Sequence, residues 1–352
     1  MELIVTKDAV YKNRWDHFMI TNVNGNHLQL SDWLASYESY GFDYELVLII
    51  ENDKILGGFG AVIAKFSFFK FYCIPGGPIA VNNTIEILKK LVEEIPIQAK
   101  KYKACYLQMN APILHNSILF DEMKSTMDNF QIGNSFKYVY TSNGLNWLDF
   151  KKYKASDEIL LDFKSSVRRD IRNAERKETQ IRFLKTESDI KNAYDLCLLN
   201  AKNNNYSLRD WNSFKPTIMS LINKNWSECI ASYKDGIMKG AIFIVKSGNY
   251  YTYILGGTIK EKPDLLTGHL LQWEAIKFSF EQDCDGYNLS LGGSEGVKEF
   301  KQSFVSEQIF YQNSKYHLIL KPRIFNFFLF FEKKIKPYKK NIAAILSKFK
   351  RK

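Results

Sequence analysis

ECIASYKDGIMKGAIFIVKSGNYYTYILGG, residues 228–257, decides the fold. It reads as two hairpin strands, Glu228–Tyr233 and Ile237–Lys246, joined by Asp235-Gly236. A third strand, Tyr250–Leu255, runs into a Gly256-Gly257 loop. An Asp-Gly pair between apolar runs is the strongest short-range hairpin signal, because both central residues of a type I′ turn need positive φ. Farther on, Leu270, Leu271, Trp273, Ile276, Phe278 and Phe280 give a helix near Leu270–Glu281 a broad apolar face. A last strand is expected at Tyr287–Leu291, followed by Gly292-Gly293 and the segment Glu299–Phe304.

The first half of the chain repeats this order. Glu45 to Gly57 and Glu228 to Gly240 are equal steps, each holding an apolar strand, a polar turn and an apolar return. Ile74-Pro75-Gly76-Gly77 stands opposite Ile254-Leu255-Gly256-Gly257. Beyond a helix opening near Thr84, Ala104–Met109 stands opposite Gly286–Leu291. A repeat this long is no solenoid unit; it reads as two copies of one domain. The expected units are 1–145 and 146–320, the second with the active site, and a basic tail 321–352. The fold class is α/β (α+β), each unit a mixed twisted sheet flanked by helices.

With 352 residues, 45% hydrophobic and 15% aromatic, the chain can fill two cores. Five scattered cysteines, Cys73, Cys105, Cys197, Cys229 and Cys284, suit a reducing compartment in which they serve as small apolar residues. No signal peptide opens the chain, no apolar run spans a bilayer, and the five histidines lack ligand spacing, so the expectation is a cytoplasmic protein without metal. Net charge is +11, yet Lys321–Lys352 holds +10 of it, together with Ile324, Phe325, Phe327, Phe328, Phe330 and Phe331. Such a tail fits the inner face of an anionic membrane, where apolar side chains enter the interface and lysines meet headgroups. Packing of Ile324–Phe331 on the folded body is the equal alternative, and a tRNA backbone would also suit the charge.

Several other features bear on chemistry. Pro75, Gly76 and Gly77 lie between a strand and a helix, where backbone N–H groups can approach an anion; a plain tight turn is the alternative. Ser31 or Asp32 could cap a helix through Tyr40, and Pro96 should end or kink the helix begun at Thr84. Arg168, Arg172 and Arg176 recur at i, i+4 and i+8, with Arg169 beside them, so guanidinium groups line one helix face. That face could hold phosphates bidentately, or be a solvated surface partnered by Asp170 and Glu175.

Hairpin, strand, glycine loop, helix, strand resembles the central order of the GNAT acyltransferase fold, here present twice. Tyr253–Thr258, Leu270–Ile276, Gly286–Gly293 and Phe300-Lys301 with Phe304 resemble the FemABX family, tandem-GNAT aminoacyltransferases that build peptidoglycan cross-bridges. Gln29…Trp33, Tyr72–Pro78 and the basic stretch Val167–Ala174 support the match, which spans roughly Gln29 to Tyr311. The chain departs from the family in lacking a lysine soon after Trp33, in Asn288 where aspartate is usual, and in Val305 after Phe304.

The resemblance implies direct transfer of an aminoacyl group from aminoacyl-tRNA to the amine of a lipid-linked or nucleotide-linked cell-wall precursor. No nucleophile elbow or Cys/His pairing in the sequence suggests a covalent intermediate. The family's Phe-Lys assigns Lys301 to stabilise the oxyanion, whereas its sequence neighbours alone read as a surface lysine beside two core phenylalanines, Phe300 and Phe304. Arg168, Arg169, Arg172, Tyr253, Asn288, Pro75, Gly76, Gly77 and Phe300 are the expected substrate-binding residues. A rival reading is an acyl-CoA- or acyl-carrier-dependent N-acyltransferase of surface polysaccharide synthesis; Leu265–His269 is a poor pyrophosphate loop for it. A non-catalytic membrane-surface or RNA-binding scaffold is the third.

Overall fold

The structure is a computed structural model that describes residues 1–110, 124–133, 136–142, 144–204, 206–292, 295–304, 306–310 and 315–335. Gly293, Val305 and the tail beyond residue 335 lie outside the described residues. The chain opens with β1 (Glu2–Thr6), α1 (Ala9–Thr21) and α2 (Ser31–Ala35). Next come β2 (Asp43–Glu51), β3 (Lys54–Phe66), β4 (Phe69–Ile74) and the short β5 (Ile79–Ala80). Helix α3 (Ile85–Lys101) crosses to β6 (Tyr106–Asn110), and β7 (Gln131–Ile132) follows. The second half begins with β8 (Gly144–Asp149), α4 (Ser156–Asp162), α5 (Ser165–Arg176), β9 (Gln180–Leu184), α6 (Glu187–Asn203) and α7 (Trp211–Asn223). It continues through β10 (Ser227–Lys234), β11 (Ile237–Ser247), β12 (Tyr250–Thr258), α8 (Thr267–Glu281), β13 (Gly286–Asn288) and α9 (Glu295–Gln302). Then come β14 (Glu307–Phe310), β15 (Lys315–Ile319) and α10 (Pro322–Phe330), which ends in a π-helical turn, Phe331–Ile335.

Two sheets with the same plan result. The first runs β1-β2-β3-β4-β6-β15-β7 and the second β9-β10-β11-β12-β13-β8-β14. Each has three antiparallel steps, one parallel step (β4–β6 or β12–β13) bridged by a long helix, and two further antiparallel steps. The hairpin turns match as well: Asn52-Asp53 and Asp235-Gly236 all have positive φ, as a type I′ turn requires. Strand β15 falls inside the 146–320 unit expected from sequence, yet it pairs with β6 of the first sheet. The duplication explains this: the position that β15 fills beside β6 is filled by β8 beside β13, and each satisfies an otherwise open strand edge.

One face of the first sheet packs on α3 through Val47, Ile49, Phe59, Leu91 and Ile95. Its other face meets α1, α2 and α10 and takes in Leu221 and Val245 of the second half. Polar bonds reinforce the junction between halves. Lys224 Nζ reaches Asp32 at 2.7 Å and the fully buried Asp16 at 3.5 Å, and Tyr250 donates its hydroxyl to the Gly25 carbonyl at 3.1 Å. Burial pushes the Asp16 carboxyl up, against the bonds it accepts from Ser31 N and Oγ.

Four local expectations are corrected. Gly256 and Gly257 lie inside β12, not in a loop, because α6 crosses them so closely that a Cβ on Gly257 would sit 2.9 Å from the Leu196 carbonyl. Helix α3 does not end at Pro96 but runs on to Lys101, held on the sheet by Leu91, Val92, Ile95 and Ala99 on both sides of the proline. The strand expected at Tyr287–Leu291 ends at Asn288, since Ser290 takes a positive φ of 59°. Neither Ser31 nor Asp32 caps α2; Leu30 is the cap residue, Ser31 bonds Asp16, and Asp32 serves the junction.

Gln29 is the tie between the N-terminal segment and the Pro75-Gly76-Gly77 turn. Its buried amide donates to Pro75 O at 2.6 Å and Gly60 O at 3.1 Å, and accepts from Gly60 N at 2.5 Å. Gln29→Ala leaves three backbone groups without partners, so a loss of about 3 kcal/mol in urea unfolding is expected. A loss under about 1 kcal/mol would show that water replaces the amide.

Candidate active site

Beyond Thr252 and Asn288 the parallel strands β12 and β13 cease to pair, although β12 continues to Thr258. Lys301 sits at this opening. It is 3% exposed, on the inward face of α9, and donates to Ser290 Oγ at 2.8 Å, Gly292 O at 2.7 Å and Ser290 O at 3.2 Å. Its Nζ lies 5.5 Å from the centroid of the Tyr253 ring. No carboxylate neutralises it among the described residues; two carbonyls, a hydroxyl and a ring face hold the charge. Burial lowers its pKa to about 8.

Local sequence builds this cradle. Asn288 accepts from Ser290 N at 2.8 Å and donates to Thr252 Oγ1 at 3.4 Å, an Asx turn that lets the chain enter the left-handed conformation at Ser290. Asn146 of β8 donates to the same Ser290 carbonyl at 2.7 Å. Phe300 packs on Phe304 at 5.2 Å and on His269 at 4.9 Å, pinning α9 against the first turn of α8. Burial lowers the pKa of His269, whose Nδ1 lies 3.8 Å from Asp170 of α5.

The structure gathers Lys301, Tyr253, Asn288 and Phe300 into one place. Tyr253 offers its ring, and burial drives its hydroxyl well above the usual range. Asn288 shapes the loop that holds Lys301. The arginine helix stands next to this group through Asp170 and His269, with Val167, Ile171 and Ala174 turned inward. Arg168 donates to the Leu161 carbonyl, Arg169 lies 3.5 Å from Asp170, and Arg172 is exposed. Pro75, Gly76 and Gly77 form a separate, buried turn in the first sheet, their carbonyls at Pro75 and Gly76 taken by Gln29 and Asn26. None of Lys301's hydrogen bonds reaches it. Sequence reasoning missed Ser290 and Asn146; a serine two residues past the asparagine was the only local signal for the first, and the second comes from a strand 144 residues away.

The FemAB family model matches residues 10–220, and a model described as an acetyltransferase (GNAT) domain matches residues 162–302. The chain belongs to the FemAB family and is an acyltransferase with two GNAT-like domains. Among solved structures, FemX is similar over 93% of this chain and 99% of its own, with a TM-score of 0.77 and 14% identity. A conserved protein of unknown function from Bacteroides thetaiotaomicron covers 90% and 99%, with a TM-score of 0.60 and 14% identity. A tandem GNAT protein of the clavulanic acid biosynthesis pathway covers 90% and 98%, with a TM-score of 0.50 and 9% identity. At such identities the likeness is one of fold. No curated protein matches the chain at a significant level.

The lowered pKa of Lys301 has a consequence for stability. Between about 8 and the ordinary lysine value the unfolded chain binds more protons than the native one, so Lys301 makes stability rise with pH across that window. Lys301→Met keeps much of the stem and removes the charge. Melting curves from pH 7 to 10 should show wild type gaining on Lys301→Met as pH rises; parallel curves would mean the ammonium is well solvated.

Proposed function

We propose that this FemAB-family enzyme transfers an aminoacyl group from aminoacyl-tRNA to an amine on a peptidoglycan precursor, lipid-linked or nucleotide-linked. The observation that supports it is a buried ammonium, unpaired with any carboxylate among the described residues, at the opening between the second sheet's parallel strands. A neutral amine attacks the ester carbonyl, the C–N bond forms, and negative charge gathers on the carbonyl oxygen. Lys301 answers that charge in a site shielded from water, where a fixed cation acts more strongly than in solution. All three of its N–H bonds are in use, so an oxyanion must displace one acceptor. The Ser290 hydroxyl is the natural one to yield, since it rotates about one bond while the carbonyls are fixed in the backbone. As the C–O bond breaks, the leaving hydroxyl takes up the proton that the amine gives up.

Arg169 and Arg172 offer outward guanidinium groups for donor phosphates beside the site. Asn288 and Asn146 act as positioning residues, through Ser290. Phe300 and Tyr253 wall the opening.

Incubation of the purified enzyme with charged tRNA, and separately with acetyl-CoA, each with a cell-wall precursor amine, tests the reading. Transfer is expected from charged tRNA only, and Lys301→Met should lower it about 10²–10³-fold with KM little changed. Transfer from acetyl-CoA alone would overturn the donor assignment. Wild-type rates in Lys301→Met would remove the lysine from the chemistry.

A further inference from the structure

We infer that the tip of the β3–β4 hairpin and the outer face of α10 form a docking surface for an anionic lipid bilayer. Helix α10 carries aromatic residues on two sides. Phe325 and Phe328 are buried, with rings 4.6 Å from Tyr106 and 4.5 Å from Phe71. This fixes the helix to the first sheet, so the side expected to pack on the body does so. Phe327 and Phe330 face outward, 47% and 53% exposed, with rings 6.5 Å apart and nearly parallel. Phe68, at the hairpin turn where Ser67 takes a φ of 54°, is 62% exposed and stacks on Phe327 at 6.0 Å. Three rings from two distant parts of the chain therefore form one continuous apolar ladder open to solvent. A turn favours small polar residues, so an aromatic ring at its tip is not explained by the turn.

The charge around the ladder says what covers it. Lys65 and Lys70 lie directly opposite each other across the same hairpin, on its side away from α10, an unfavourable arrangement unless an anion meets the hairpin tip. Neither they nor the exposed Arg323 has a carboxylate partner among the described residues. The one acid of the segment, Glu332, is taken by the Tyr138 hydroxyl. Residues 336–352 add seven Lys or Arg and no acid. Exposed aromatic rings on a segment that carries the exposed Arg323 and leads into seven further cations match a bilayer surface, which offers an apolar interior behind anionic headgroups. No helix among the described residues is long and apolar enough to cross a membrane, so the contact is one of surface. It is independent of the acyl-transfer reading, because none of these residues touches Lys301.

Sedimentation of the full chain with vesicles of phosphatidylglycerol and phosphatidylcholine tests this. Binding is expected to the mixed vesicles and not to pure phosphatidylcholine, and Phe68→Ser/Phe327→Ser/Phe330→Ser should weaken it about tenfold or more. All five native cysteines are buried, so Phe68→Cys can be labelled selectively with an environment-sensitive dye. Its emission should shift to the blue only when anionic vesicles are added. This readout decides the matter even if the triple variant misfolds. Four results overturn the proposal: no binding by wild type, equal binding by a folded triple variant, a blue shift with tRNA in place of vesicles, or an emission already blue in buffer. The second would place binding in residues 336–352 alone, and the last would mean that another part of the chain covers the ladder.

Discussion

Removing an ammonium from water costs several kcal/mol unless other groups take over its solvation. Lys301 has lost nearly all its water, and what replaces it is a loop: the Ser290 and Gly292 carbonyls, the Ser290 hydroxyl and the Tyr253 ring. That loop exists because β13 stops after three residues, and it stops because Asn288 bonds Ser290 N and Ser290 turns left-handed. Strand length, turn and charge are therefore one constraint. The same burial that lowers the lysine's pKa makes its charge effective toward a developing oxyanion, since both follow from exclusion of water.

The two sheets hold the turn at their parallel step with different side chains. After β4, Gln29 and Asn26 occupy the carbonyls of Pro75 and Gly76, and the turn is sealed. In the second sheet Asn200 takes the Gly256 carbonyl at 3.2 Å, and the Ser290–Gly292 loop beyond the parallel pairing holds Lys301. The two units are joined by the Asp16–Lys224–Asp32 group and by β15, which returns from the end of the second half to complete the first sheet. Separating the halves would leave the β6 edge open and Asp16 buried without its cation.

The repeat, the hairpins and the crossover helices were legible because each depends on neighbours in sequence: Asp235-Gly236 for the turn, the apolar face of Leu270–Phe280 for the helix. Lys301 was legible only through resemblance; from its surroundings in sequence, a surface lysine beside Phe300 and Phe304 was the better reading. Its real neighbours, Ser290 and Asn146, come from loop and strand pairing that no local pattern encodes. The glycines misled for the opposite reason. Gly256-Gly257 reads as a loop, but glycine also serves where a helix presses on a strand, and α6 does so here. Pro96 failed as a helix stop because packing on both sides outweighs one lost backbone bond.

Among the described residues Lys301 is a buried cation held by two carbonyls, a hydroxyl and a ring face, its proton made labile by burial. Titration of ¹³Cε-labelled lysine by NMR, with the Lys301 signal assigned by its absence in Lys301→Met, measures this directly. The account predicts one lysine titrating with a midpoint near 8, apart from the group near the ordinary value. A Lys301 midpoint at or above about 10 would contradict it, because the amine would then be either solvated or paired with a carboxylate.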